Sequence, residues 1–427
     1  MHCLKRHKCS FESSHWPLFG ILIVTVIAFW PTFTNGFQME WDDQWMVINS
    51  QTVGRLNSYL FLSIFTIPNH GQIAPINQIL YTLVYKFFGF NPLPFHAVSL
   101  ILHSINICLL YYGLCMVMRD CTQISRQRSK QLIYISVILF AIHPIQVESV
   151  AWISASKIPL STLFYFAGSI ILMKYLRKNN YWWYACALLM QLFAYLSKEQ
   201  SVVFPLFATL LFLWYGIRIN SKKFWMELIP FYALGLASVV HEVFFVAHYD
   251  QYIQGETYAW WQRFVFCLYA IITYFFKWLV PINLNWMYLF PIEIDESMPW
   301  WLILYPVLAI FLIYSFWDWL KKPFVLSISV FYLIHLLLVI HITALPRASV
   351  VADRYLYVSI ISLNFMFAYL ITGIDGLMKH KRLLFAIYSL VLCFLIRTTY
   401  CRTLDWKDSQ TLKNVYSIEL ETSINRI

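Results

Sequence analysis

The sequence predicts an all-α integral membrane protein that crosses the bilayer many times. Three observations carry this. Hydrophobic residues make up 60% of the chain and charged residues only 12%, about half the charge of a typical soluble domain. Apolar runs of roughly 17 to 22 residues recur, the length that spans a hydrocarbon core. The 18 Trp and 28 Tyr gather at the ends of those runs, as in Tyr181-Trp182-Trp183-Tyr184 and Trp260-Trp261, where amphipathic rings suit the membrane–water boundary. The net charge of +10 is no nucleic-acid footprint, because the basic residues lie in short blocks between apolar runs and set orientation there. The nine cysteines show no metal-ligand spacing and no disulfide framework.

Lys5, Arg6 and Lys8 precede an apolar run with no clear small-residue cleavage site, which reads as an uncleaved signal anchor with a cytoplasmic N-terminus. The first helix is expected over about 16–34. Residues 35 to about 92 form a long outer loop. Its apolar run Ile76–Phe88 is expected to lie along the interface, because a crossing there would put Arg119, Arg126, Arg128 and Lys130 outside. Crossings follow over about 93–118 and 131–143. A short outer segment, His143 to Trp152, leads to a helix returning at Lys174, Arg177 and Lys178. The next runs over about 181–196 to Ser197-Lys198-Glu199-Gln200, and another returns to Arg218, Lys222 and Lys223. A helix over about 224–246 exits near Glu242. Residues 247–298 stay outside, or dip in and return, because Lys321-Lys322 and Lys379-His380-Lys381-Arg382 both belong in the cytoplasm. The last helices are expected at about 299–317, 323–343, 354–374 and 383–397. The sum is about eleven crossings, with a membrane domain over 1–400 and a short outer tail over 401–427.

This topology gathers Asp42, Asp43, His143, Glu148, Lys157, Lys198, Glu199, Glu242, Arg347, Asp353 and Arg354 on the outer face. Any one of them alone reads most simply as a snorkelling side chain or a structural ion pair. Together they make a polar site of carboxylates and cations in a medium where charges are costly. A transporter more typically holds its charges near the bilayer midplane. Charges crowded at one end suit chemistry between a lipid-borne substrate and an aqueous partner.

The loop Phe37…Trp41-Asp42-Asp43 with Asn49 resembles the first outer loop of GT-C-type glycosyltransferases. The likeness is to the membrane half of the transmembrane-and-tetratricopeptide protein O-mannosyltransferases and their bacterial relatives. Further segments share it in the same order across about residues 36–415: Ala74-Pro75-Ile76 with Phe95-His96…Leu102-His103; His143-Pro144…Val147-Glu148; Ser197-Lys198-Glu199; Ala352-Asp353-Arg354-Tyr355-Leu356-Tyr357; and Trp406-Lys407-Asp408-Ser409-Gln410-Thr411-Leu412. Two positions depart from the family: Ala74-Pro75 stands for Arg-Pro, and Ala155-Ser156-Lys157 where a Gly-Arg pair is expected. The chain ends where tetratricopeptide repeats would begin.

The resemblance implies inverting transfer of a monosaccharide, mannose among the candidates, from a polyprenyl-phosphate donor to a hydroxyl of a protein or glycan. It implies Asp42 or Asp43 as base, with Asp42 matching the first acid of the related pair. Arg354 and Lys198 would hold the leaving phosphate. Glu148, His143 and Glu199 would orient the sugar or acceptor, or brace their loops. The Asp pair could hold a divalent ion, but none is required for a monophosphate donor, and no Rossmann or P-loop fingerprint is present. Two rival readings remain open at this point, a flippase or transporter of lipid-linked sugar and a non-catalytic membrane scaffold. The chain has no Asn-x-Ser/Thr sequon, which fits a bacterial inner membrane with a periplasmic site. In a eukaryote the site would be lumenal in the endoplasmic reticulum.

Overall fold

A computed structural model describes residues 16–54, 58–69, 71–121, 124–249, 258–342, 349–373 and 381–415. Helices dominate, because a helix satisfies its own backbone polar groups where no water can. In chain order the main ones are α1 (Trp16–Ala28), α2 (Pro75–Phe88), α3 (Pro92–Cys121), α4 (Arg126–Ile142), α5 (Lys157–Lys178), α6 (Tyr181–Ser197) and α7 (Phe204–Trp214). They continue with α8 (Lys222–Tyr249), α9 (Trp260–Leu279), α10 (Trp300–Ser315), α11 (Pro323–Leu336), α12 (Leu356–Thr372) and α13 (Lys381–Asp405).

Among the described residues five stretches are long and apolar enough to cross a membrane: Pro92–Asp120, Ile153–Lys178, Lys222–Phe245, Asp353–Thr372 and Ala386–Asp405. A sixth is formed if Arg126–Ile142 and Pro144–Ala151, bent by 47° at the break, count as one span. Shorter apolar helices lie at Trp16–Ala28, Glu199–Trp214, Trp300–Ser315 and Pro323–Leu336. α10 exposes Ile303, Ile310 and Phe311 and buries only Leu302, the pattern of a helix facing lipid.

Several element ends differ from the sequence expectation. α1 stops at Ala28, and a tight turn carries on through Thr34 around Pro31, which lacks the N–H that would extend the helix. α11 ends at Leu336 rather than near 343, and His341 soon adopts a left-handed backbone (φ 61°). α13 runs on to Asp405, past the expected end near 397 and through position 400. Arg347, Lys379 and the basic N-terminal residues lie outside the described residues.

α5 and α6 form a hairpin closed by Asn179 in the left-handed conformation. They approach so closely at Gly168 that an added Cβ would meet Met190 Cβ at 3.0 Å, the role small residues play between membrane helices. α3 packs on α5, and α12 is held between α4 and α11. A two-stranded antiparallel ribbon, Tyr288–Leu289 with Ser349–Val351, sits at one end of the bundle. It brings the Tyr288 hydroxyl to Asp353, donating at 3.1 Å.

Asp353 is fully buried and pairs with Arg402, also buried, at 2.5 Å. Arg402 donates further to the Pro144 carbonyl (2.6 Å) and the Asn285 carbonyl (3.4 Å). It thereby ties α13 to the start of α12 and to the bend after α4. Removing one partner of such a pair strands the other charge. Arg402→Met is therefore expected to lower stability by about 3–5 kcal/mol, read as thermal unfolding in detergent. Adding Asp353→Leu is expected to recover most of that loss. A single variant as stable as the parent would show that the pair does not hold the bundle end together.

Candidate active site

The first loop is fixed before any of its acids can act. Gly36 N–H donates to the Lys407 carbonyl at 2.8 Å, Gln38 Nε2 to the Trp406 carbonyl at 2.8 Å and Asn35 Nδ2 to the Thr403 carbonyl at 2.9 Å. The residues just after position 400 thus serve as the floor of this loop. Trp406 also stacks on Trp152, with ring centroids 5.5 Å apart.

Asp42 and Asp43 then part company. They sit on a helical turn, where successive side chains diverge by about 100°. Asp43 points inward and is fully buried. Its Oδ2 accepts from Gln38 N–H (2.8 Å), and its Oδ1 accepts from Ser154 N–H (2.8 Å) and Ser154 Oγ (2.5 Å). It bolts the first loop to the turn after Trp152. Burial pushes its pKa up to about 6, although the bonds from Gln38 and Ser154 pull the other way; the Asp42 charge adds a smaller upward push. Asp42 is half-buried and has no hydrogen bond or ion pair among the described residues. Its charge is within reach of Lys157 and Arg354.

Glu148 is fully buried and holds Arg354 twice. It accepts from the guanidinium Nη1 and, at 2.8 Å, from the Arg354 N–H. The guanidinium lies over Trp152 (5.5 Å) and Tyr355 (4.9 Å) and stays partly open. Lys198 pairs with Glu199. Lys157, buried at the start of α5, donates to the neutral Gln72 Oε1 and lies within electrostatic range of Asp42, Lys198, Glu199 and Arg354.

Lys198, Arg354, Ser161, Thr162 and Tyr355 line a cleft of about 430 Å³. Tyr165 and the α11 residue His335 also line it, joined by a 2.8 Å hydrogen bond. Tyr165 also lines a groove of about 770 Å³ whose other walls include Leu110, Met118, Phe207, Phe324, Phe331 and Phe365. The charged cleft and the apolar groove therefore meet at one tyrosine.

Of the residues singled out in the sequence, Asp42, Glu148, Lys198, Glu199 and Arg354 come together. Asp43 lies behind them. His143 is engaged elsewhere: its Nδ1 accepts from Ile145 N–H (3.3 Å), so Nε2 carries the proton and bonds the Trp278 carbonyl at 3.0 Å. It caps the bend after α4. His103 is a packed histidine, hydrogen-bonded to the Tyr357 hydroxyl at 2.8 Å. Sequence reasoning assigned no role to Lys157 and overlooked Gln72 and Arg402. A signal for Lys157 was present, a cation in the place of the family's Gly-Arg. Among the described residues no group of three His, Cys, Asp or Glu side chains is placed to hold a metal ion.

The chain is similar to protein O-mannosyl-transferases over part of its length. Human protein O-mannosyl-transferase TMTC1 is 31% identical over 122 residues, 26% of this chain. Xenopus laevis protein O-mannosyl-transferase tmtc2 is 24% identical over 205 residues, 38% of this chain. The matched stretches cover 13% of the human protein and 23% of the frog one. No family model matches the chain, and no solved structure matches it.

The two aspartates should separate in a stability assay. The raised pKa of Asp43 means that the folded state keeps its proton longer than the unfolded state. Between about pH 4 and pH 6, raising the pH should cost the fold about 3 kcal/mol through this group. Asp43→Asn removes that slope. It also sets an amide N–H against a backbone N–H, lowering neutral-pH stability by about 1–3 kcal/mol. Asp42→Asn should leave the melting temperature in detergent unchanged. Equal effects of the two substitutions would contradict the division of labour between them.

Proposed function

We propose that this chain is a multi-pass membrane glycosyltransferase. It moves one sugar, mannose by its likeness to the relatives, from a polyprenyl-phosphate donor to a protein hydroxyl on the outer side, with inversion. The observation that carries this is a half-buried carboxylate, Asp42, with no hydrogen bond or ion pair among the described residues and within electrostatic range of Lys157 and Arg354, where Arg354 and Lys198 line a cleft that meets an apolar groove at Tyr165. On this reading the five long stretches, the bent pair, the four shorter apolar helices and α6 make about eleven crossings, with α2 along the interface and the charged cluster outside.

The groove suits a polyprenyl chain, and the cleft beyond Tyr165 suits its phosphate. The acceptor oxygen attacks the anomeric carbon from the side opposite the phosphate. Its proton passes to Asp42 as the new glycosidic bond forms. The bond from the anomeric carbon to the phosphate oxygen breaks, and its electron pair stays on the departing polyprenyl phosphate. Charge is matched throughout. Lys157, Lys198 and Arg354 balance Asp42, Glu148 and Glu199 before reaction. Protonation of Asp42 makes the cluster net positive as the phosphate gains its second negative charge. This fixed field stabilises the leaving group, and the cations stand where other enzymes use a metal. Glu148 and Glu199 act by holding Arg354 and Lys198, and His143 by capping the bend.

Asp42→Asn is expected to lower transfer by about 10²–10⁴-fold, with donor binding retained in a filter assay. Lys157→Met should weaken donor binding about 10–100-fold, the loss of one charge-assisted hydrogen bond. Transfer by Asp42→Asn at the parental rate would move the flippase or scaffold reading ahead.

A further inference from the structure

A second cleft opens beside the charged cluster, within the first loop. Its empty volume is about 730 Å³. Asn49, Gln51, Asn69 and Gln72 line it together with Ile64, Ile67 and Pro68. Among the described residues its lining holds no charged side chain, although the neighbouring cluster is dense with charge. The cleft is not isolated from the chemistry. Gln72 accepts the hydrogen bond of Lys157, and Lys157 lies in the field of Asp42.

The carboxamides are partly spent in a regular way. Gln78 is saturated, accepting from Ser50 Oγ (3.2 Å) and Thr52 Oγ1 (2.9 Å) and donating to the Met46 carbonyl (3.3 Å). It stiffens the cleft floor. Asn69 gives its Nδ2 to the Trp45 carbonyl at 3.1 Å, and Gln72 gives its Oε1 to Lys157. Among the described residues that leaves the side-chain Asn69 Oδ1 and Gln72 Nε2, an acceptor and a donor, to the space both residues line. Asn49 and Gln51 are exposed at the rim, and each offers a further acceptor and donor.

We propose that this cleft is the acceptor subsite and that it takes an extended, uncharged stretch of polypeptide. A carboxamide presents a donor and an acceptor in the arrangement of a peptide group, so a set of them can pair with successive backbone amides. Ile64, Ile67 and Pro68 take the small apolar or β-branched side chains between. Sugar diols are commonly gripped by carboxylates, and this lining has none among the described residues. A charged peptide side chain would lose water here and find no counter-charge. The Gln72–Lys157 bond sets the occupant's hydroxyl beside Asp42. This inference rests on the proposed function in taking the chain to transfer sugar to a protein hydroxyl at Asp42.

The test is equilibrium binding of a fluorescent Ala/Val/Thr/Ser peptide to the full chain in detergent, read by anisotropy, which needs no turnover. The wild type should bind it, and a peptide carrying two Asp residues should bind more weakly. The double variant Asn49→Ala/Gln51→Ala, altered only at the exposed rim, should bind about 10-fold more weakly, the loss of about two hydrogen bonds. Gln51→Glu should shift preference toward a peptide carrying Lys. Hydrolysis of polyprenyl-phosphate mannose, with water as acceptor, should stay unchanged in these variants. No peptide binding by the wild type, or undiminished binding by the double variant, overturns the assignment. So does a neutral oligosaccharide that binds with the same dependence on Asn49 and Gln51 where the peptide does not. Peptide binding that depends on the cleft, in a protein that never consumes the donor, would support the subsite and overturn the proposed reaction instead.

Discussion

Asp43 closes both carboxylate oxygens on Gln38 and Ser154 in a dry seam, with bonds of 2.5 to 2.8 Å. The arrangement of the charged cluster depends on that clamp. It joins the first loop to the turn that begins α5, two segments more than a hundred positions apart. Because the two acids share one helical turn, sealing Asp43 inward sets Asp42 toward the opening. Because Ser154 is held, Lys157 three residues later starts its helix at the same opening. A buried carboxylate is costly unless its oxygens are satisfied, and here that requirement aligns two loops.

A second clamp follows the same logic from the other side of the bundle. Glu148 is buried against Arg354 and binds both its side chain and its backbone, while Asp353, one residue earlier, pairs with Arg402. Adjacent residues at the start of α12 therefore send opposite charges to different partners, one toward the cleft and one into the bundle end. The result is a cluster whose charges are mostly neutralised in pairs. Among the described residues Asp42, Lys157 and Glu242 are the exceptions, the first without a hydrogen-bonded partner, the second with a neutral one and the third accepting from the Tyr195 hydroxyl at 3.1 Å. A reaction that moves a proton and builds negative charge on a leaving group needs the first two and little else.

Much of this was legible in the sequence, and the reasons are specific. Low charge and long apolar runs required long apolar helices, and they are there. The basic blocks ordered the runs in a way that sent Asp42, Glu148, Lys198 and Arg354 to one end, and the structure does gather them. Other features depend on contacts that no local pattern encodes. Nothing in Trp41-Asp42-Asp43 shows which acid is sealed, because that is decided by Ser154. His143 precedes a proline and reads as a possible ligand or brace; only the bend against the Trp278 carbonyl shows the brace. Arg402 follows an apolar run and reads as the start of a tail, yet Asp353 holds it inside. Gln72, a lone amide in a long loop, carries no sequence signal at all. Helix ends at Ala28, Leu336 and Asp405 moved because a proline, a turn and a packing floor decided them, not hydropathy.

The most direct test is the stereochemistry of a single transfer. Purified protein would be given a polyprenyl-phosphate monosaccharide of known anomeric configuration and a Ser/Thr peptide, and the product's anomeric coupling read by nuclear magnetic resonance. One carboxylate acting as base on the acceptor, with the phosphate leaving from the opposite face, predicts a peptide glycoside of inverted configuration. Retention of configuration, or a donor that is never consumed, would contradict the assignment of Asp42 and its three cations as a glycosyl-transfer centre.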